Sequence, residues 1–163
     1  MKLTQMAALF GAFLAGIAMP CGGASSDEGL LRGITHLDPH VLPLDRDSAA
    51  CGIDAKRVDQ ALREAMAQAP FGTDRGDYVL FVRLSSLPKH GDCFSSIDLG
   101  VYWEGGVPLP DSPAGVRAKV KLWENGTIIV TPTRLHWREV DGILKLLVGN
   151  LISAWRADNS KAG

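Results

Sequence analysis

Three cysteines, two tyrosines, four tryptophans and four histidines are all that this 163-residue chain holds of the side chains that most often carry chemistry. None falls at a spacing that points to a reaction. There is no C-x-x-C pair to lower a thiol pKa, and no G-x-S-x-G or S-x-x-K to expose and activate a hydroxyl. The one Gly-Gly pair, Gly105-Gly106, runs into a proline-rich segment rather than a helix start, so it offers no cradle of amides for a phosphate. Positive charge is not in excess either: 17 Lys and Arg stand against 18 Asp and Glu. A nucleic-acid ligand is therefore not expected, because phosphate contacts need a clear basic surplus on one face. Past residue 24 no apolar run approaches the roughly 20 residues that cross a bilayer.

Few candidate groups remain. His36 and His40 are four apart with Asp38 between them, but Pro39 forbids the helix that would make this a metal-binding pair, so a solvated loop is expected. His90, Asp92 and Cys93 cluster in a turn between two strands. His136, next to Trp137, is read as surface decoration at the start of the last helix. Ser85-Ser86 and Ser95-Ser96 read as strand-end serines, and Asp74 and Asp77 as loop polarity. No metal, no cofactor and no catalytic residue is expected.

What the sequence does contain is an export address. Lys2 gives a positive start, Met6 to Met19 form an apolar run, and Pro20 to Ala24 supply small residues for cleavage after Ala24, with Ala18 the alternative. The run is too short for a membrane anchor and is broken by Gly11, Gly16 and Pro20. Cys21 stands where a lipidated cysteine would, yet Met19 and Pro20 precede it instead of small residues, which argues against a lipoprotein. Residues 1–24 are thus read as a cleaved signal peptide, and the protein as periplasmic or secreted.

Removing 24 of the 163 residues takes Lys2 and no acid, so 16 cationic side chains face 18 carboxylates in the 139 that remain. It also takes Cys21 and leaves an even pair. In an oxidising compartment a Cys51–Cys93 disulfide is the natural expectation. Two buried thiols that never meet are the other reading.

Hydrophobic spacing divides the rest into one α+β domain at 53–157, preceded by an extended segment at 25–52 and followed by a disordered tail at 158–163. Leu30 to Leu44 is broken by Pro39 and Pro43, so a short edge strand fits there. Val58, Ala61, Leu62, Ala65, Met66 and Ala69 recur at helical spacing, with Asp54 placed to cap the start and Pro70 and Gly72 to end it. Tyr78 to Ser85 is an inner strand; Ile97, Leu99, Val101 and Trp103 alternate with polar residues, and Cys93 shares their parity. Gly105 to Gly115 reads as a long loop. Val116–Trp123 and Thr127–Thr133 then flank Asn125-Gly126, the dipeptide typical of a two-residue hairpin. A second helix starts between Leu135 and Asp141 and carries Val140, Ile143, Leu144, Leu147, Val148, Leu151 and Trp155 on one stripe. The expected fold is a two-layer sandwich, with an antiparallel sheet of about four strands, a fifth at the edge, and both helices packed on one face.

With that register, Arg117, Lys119, Lys121, Trp123 and Ile128 share the outer face of the hairpin. Such a mixture of cationic stems and aromatic area suits a protein partner. The expected class is a small exported, non-catalytic binding or accessory protein of the cell envelope, its partner another envelope or secreted protein. Two alternatives share the sequence: an inhibitor or immunity-type protein, and a small secreted hydrolase using His90 and Asp92 near Ser95. Oligomeric state is left open.

Overall fold

A computed structural model describes residues 29–109 and 112–160, with the side chains of 109–114 left aside. The export segment and Cys21 lie outside the described residues. Four strands and two helices follow one another as β1 (Asp38–Val41), a 3-10 turn (Arg46–Cys51), α1 (Ala55–Met66), β2 (Tyr78–Lys89), β3 (Asp92–Leu109), β4 (Ser112–Pro132) and α2 (Thr133–Ser160). The fold is α+β, and no helix among the described residues is long and apolar enough to cross a membrane.

Local chemistry explains where each element begins. Asp54 is extended and its carboxylate accepts the amide of Arg57 at 3.0 Å, satisfying one of the free donors at the start of α1. Asp45 caps the 3-10 turn in the same way through Ser48, and Gly52 ends that turn in the left-handed region at φ 73°. β2 and β3 are joined by His90 and Gly91, at φ 54° and 89°, because Lys89 pairs with Asp92. Two consecutive positive φ values are what a tight hairpin of right-twisted strands requires.

The sheet order is β1-β2-β3-β4. β1 lies parallel to β2, and the other two pairings are antiparallel, so the sheet is mixed where an antiparallel one was expected. The crossover from β1 to β2 passes through α1, a connection long enough for parallel strands.

Two expectations about the second half are corrected. Asn125-Gly126 is no turn: β4 runs unbroken through it, paired with β3 from Pro132 to Ser112. Neither residue has a positive φ. Gly126 lies opposite Asp98, and a Cβ there would collide with the Asp98 carboxylate, so the glycine serves a close approach between strands. The proline-rich stretch after Gly105 is likewise not a long loop, because β3 continues to Leu109. β2 ends at Tyr78, opposite Trp103. Past that point one edge of β3 carries no ladder, so Pro108 interrupts none there.

One parity of β2 and β3 is buried: Leu80, Val82, Leu84 and Ser86 on the first, Cys93, Ser95, Ile97, Leu99 and Val101 on the second. Val58, Leu62 and Met66 of α1 and Val140, Leu144, Val148 and Leu151 of α2 complete the same core. Leu31, Ile34 and Leu37 join it, which makes the amino-terminal segment part of the same packed body. The end of α2 holds that segment. Asp158 accepts the amides of Gly29 and Leu31 at 2.8 and 3.0 Å, and Asn159 bonds Gly33 and Leu31. Helix therefore extends to Ser160 where a disordered tail from 158 was expected.

Candidate functional site

Two places concentrate polar side chains, and they lie on opposite faces of the sheet. On the inner face Cys51, at the end of the 3-10 turn, is bridged to Cys93 of β3, with Cα atoms 5.8 Å apart and 42 residues between them. Beside the bridge runs a hydrogen-bonded chain of side chains. Ser86 Oγ meets Ser95 Oγ at 2.7 Å, Ser95 Oγ meets His136 Nε2 at 2.7 Å, and Thr131 Oγ1 meets His136 Nδ1 at 2.6 Å. His136 is wholly buried, which corrects its reading as surface decoration. Burial pushes its pKa below the ordinary value. A neutral imidazole needs one donor and one acceptor, and hydroxyls at both nitrogens supply these in either direction.

Ser86, Ser95 and His136 are buried, Thr131 is half-buried and every member is paired, so the chain is a device for holding β2, β3, β4 and α2 together. Cys51, Cys93 and His136 form the one cluster of three metal-ligating side chains among the described residues. Its two sulfurs are taken by the bridge and its two imidazole nitrogens by hydroxyls, so this donor set does not fit a metal ion. His36 and His40 are not brought together: His36 faces Asp74 at 3.5 Å, and His40 faces Asp38 at 3.0 Å. His90 is exposed in its turn, whereas Ser95 points inward to Ser86 and His136.

The outer face is built from the other parity, and it is open. Leu87, Phe94 and Val130 are cross-strand neighbours on β2, β3 and β4, and Ile128 lies next to them opposite Ser96. All four are exposed, Ile128 the most at 73%. Further along, Phe81 and Tyr102 meet edge to face at 5.5 Å between centroids, and Lys119 Nζ lies 3.5 Å from the Phe81 centroid and 5.0 Å from that of Tyr102. Gly100 makes room for the tyrosine, since a Cβ there would come within 2.7 Å of the ring. Leu42, Phe81, Arg83, Tyr102 and Lys119 line a hollow of about 260 Å³.

Two of the cations on this face are paired. Lys119 pairs with Glu104 at 3.1 Å and Lys121 with Glu124 at 2.6 Å; the second bond holds the Lys121 pKa above its ordinary value. Screened surface pairs of this kind contribute little to stability. A face of exposed aromatics and aliphatics with paired charges at its margin has the makeup of a protein-binding surface.

Of the residues expected to share that surface, Arg117, Lys119, Lys121 and Ile128 do lie on one face. Trp123 does not. The ladder pairs Tyr102 with Lys121 but Val101 with Trp123, so Leu122 is an extra residue in β4. Such a bulge shifts the alternation by one, and both Leu122 and Trp123 pack on the core. Val116 and Val120 are exposed: Val116 lies on the part of the β3–β4 pair that extends past β2, and Val120 is opposite Trp103, the last residue of β3 that β2 pairs with. Phe81, Arg83, Leu87, Phe94 and Tyr102 were missed as surface residues, although Tyr102 stood on the polar parity of its strand.

No protein-family model matches the chain, and no curated protein matches it in sequence. Among solved structures a minor lipoprotein from Acinetobacter baumannii is similar over 78% of this chain and 92% of that one, with 8% identity and a TM-score of 0.36. At that level of likeness, what the protein does has to be argued from its own residues.

Proposed function

We propose that the protein is a small exported binding or accessory protein of the cell envelope, without catalytic activity of its own, that docks another protein on the outer face of its sheet. The observation that carries this reading is the exposed row Leu87, Phe94, Val130 and Ile128. An apolar row of this kind, continuous across three strands, costs free energy if left in water, and contiguous exposed patches mark interaction sites. Arg117, Lys119 and Lys121 share the outer face but lie farther along it, opposite Gly106, Glu104 and Tyr102. Burial of a single parity in β2 and β3 supports a two-layer arrangement in which both helices cover the inner face and leave the outer one free. The export segment and the Cys51–Cys93 bridge are mutually consistent with a periplasmic or secreted location, since such bridges persist in oxidising compartments. On this reading the buried polar chain around His136 and the bridge build the fold, and the outer face does the binding.

The test is capture from an envelope extract with the purified protein and with a Leu87→Ser/Phe94→Ser variant, quantified by mass spectrometry. The reading expects one or a few proteins whose recovery falls at least tenfold with the variant, an effect of the size that truncating central apolar anchors produces. Recovery unchanged by the variant, or a turnover activity lost on a single substitution, contradicts it.

A further inference from the structure

β4 ends the sheet, and along residues 121–132 its outer edge is paired with no other backbone among the described residues. Natural edge strands are guarded by charge, by proline or by a covering element, and an unguarded β-branched edge is a template for another strand. Between Gly126 and Pro132 this edge has neither charge nor proline. Its sequence, Thr127-Ile128-Ile129-Val130-Thr131, reads nearly the same in both directions about Ile129.

That symmetry selects an occupant. A second copy laid antiparallel about a two-fold axis at Ile129 sets Thr127 opposite Thr131, Ile128 opposite Val130, and Ile129 opposite itself. β-branched residues facing one another are favourable cross-strand partners, and no like charges meet. A two-fold contact must be self-complementary in this manner.

The helix layer points to the same contact. α2 packs on β3 and on β4. Its residues Asp141 and Lys145 line the groove against α1, and its opposite flank carries Ile143 and Leu146, the latter 56% exposed. Paired strands stand about 4.8 Å apart. A helix over the gap between β3 and β4 is then about 5 Å from the axis, and two copies of α2 run about 10 Å apart, the separation of packed helices.

We propose that the protein associates as a two-fold dimer through the free edge of β4, joining two sheets into one of eight strands and covering Leu146 at the contact between the two α2 helices. This goes beyond the binding reading, with which it shares Ile128 and Val130; Leu87 and Phe94 lie on β2 and β3, away from the edge, so the Leu87→Ser/Phe94→Ser variant tests that reading separately.

Sedimentation equilibrium of the purified protein over about 1 to 100 µM tests it. The wild type is expected to be dimeric in that range. Ile128→Lys with Val130→Lys puts like charges opposite each other twice by symmetry, and is expected to weaken association at least about tenfold. Ile128→Lys with Val130→Glu makes the same two exchanges but sets each new ammonium opposite a new carboxylate, and is expected to restore the dimer. A monomeric wild type, equal association of the double-lysine variant, or a Lys/Glu variant as weak as the double-lysine one overturns the proposal. So does a monomer that takes up an unrelated peptide strand on this edge.

Discussion

His136 should make the stability of this protein depend on pH in a direction fixed by its burial. Its pKa is lowered in the folded state by loss of water, whereas in the unfolded chain an exposed histidine titrates near about 6.5. Unfolding therefore takes up a proton at pH values below about 6.5 and above the folded pKa, so folding stability is complete above that window and is lost as pH falls into it. One proton is worth about 1.4 kcal/mol per pH unit, so the loss between about pH 7.5 and pH 5 is at most about 2 kcal/mol. With a urea m-value of about 2 kcal/mol/M, the unfolding midpoint moves down by up to about 1 M. The assay is urea denaturation followed by tryptophan fluorescence at several pH values, on the wild type and on His136→Asn. The asparagine still offers polar atoms toward Ser95 and Thr131 but cannot titrate, so the variant is expected to be less stable near neutral pH and to lose less stability on acidification. Parallel pH dependence of the two proteins would refute the reasoning.

Other substitutions test separate parts of the structure. Replacing Cys51 and Cys93 together by Ala should cost about 4 kcal/mol on the chain-entropy estimate for a loop of 42 residues, and a loss under about 1 kcal/mol in denaturant unfolding would contradict it. Gly126→Val drives a side chain into Asp98 and toward the Ile97 carbonyl, with an expected cost of about 1 to 3 kcal/mol; a neutral effect in a thermal melt would speak against a continuous β4. Trp155→Phe removes the 2.8 Å bond from the indole N–H to the Ile34 carbonyl and should cost about 1 kcal/mol or more, read in the same melt. Asp45 is raised by partial burial, but hydrogen bonds from the Ser48 hydroxyl and from the amides of Ser86, Ser48 and Asp47 outweigh this and keep its pKa below the ordinary carboxylate value. Asp45→Ala should cost about 1 kcal/mol near neutral pH, and the difference from wild type should vanish in acid once the native carboxyl is protonated, which chemical unfolding on both sides of the window will show.

Patterns with a period were legible in the sequence. The 3.6-residue spacing from Val58 to Met66 gave α1 and its cap, and strict alternation from Ile97 to Trp103 placed Cys93 on the side where Cys51 lies. What failed was the reading of single residues whose local preference is overridden by a partner far along the chain. Asn125-Gly126 looks like a turn, but β3 is long enough to pair with both sides of it, and the Asp98 carboxylate occupies the space a side chain would need. Pro108 looks like a loop residue, but it falls where β3 has lost β2 as a neighbour. Trp123 shares the parity of Lys121 in the sequence and not in space, because the extra residue Leu122 is visible only in the pairing. His136 gives no local sign of burial; its partners Ser95 and Thr131 come from β3 and β4. The outer face was half legible for the same reason: the cationic residues of β4 are local, while the row of Leu87, Phe94 and Val130 exists only once three strands are in register.

Export underlies the compartment, the bridge and the class of partner proposed for this protein. The intact mass of the protein purified from cells that express the whole chain, taken with and without reductant, tests it most directly. The account predicts a chain that begins at Ser25, carries no lipid, and gains two hydrogens on reduction as the Cys51–Cys93 bridge opens. An uncleaved chain with free thiols, or a chain beginning at a lipidated Cys21, contradicts it.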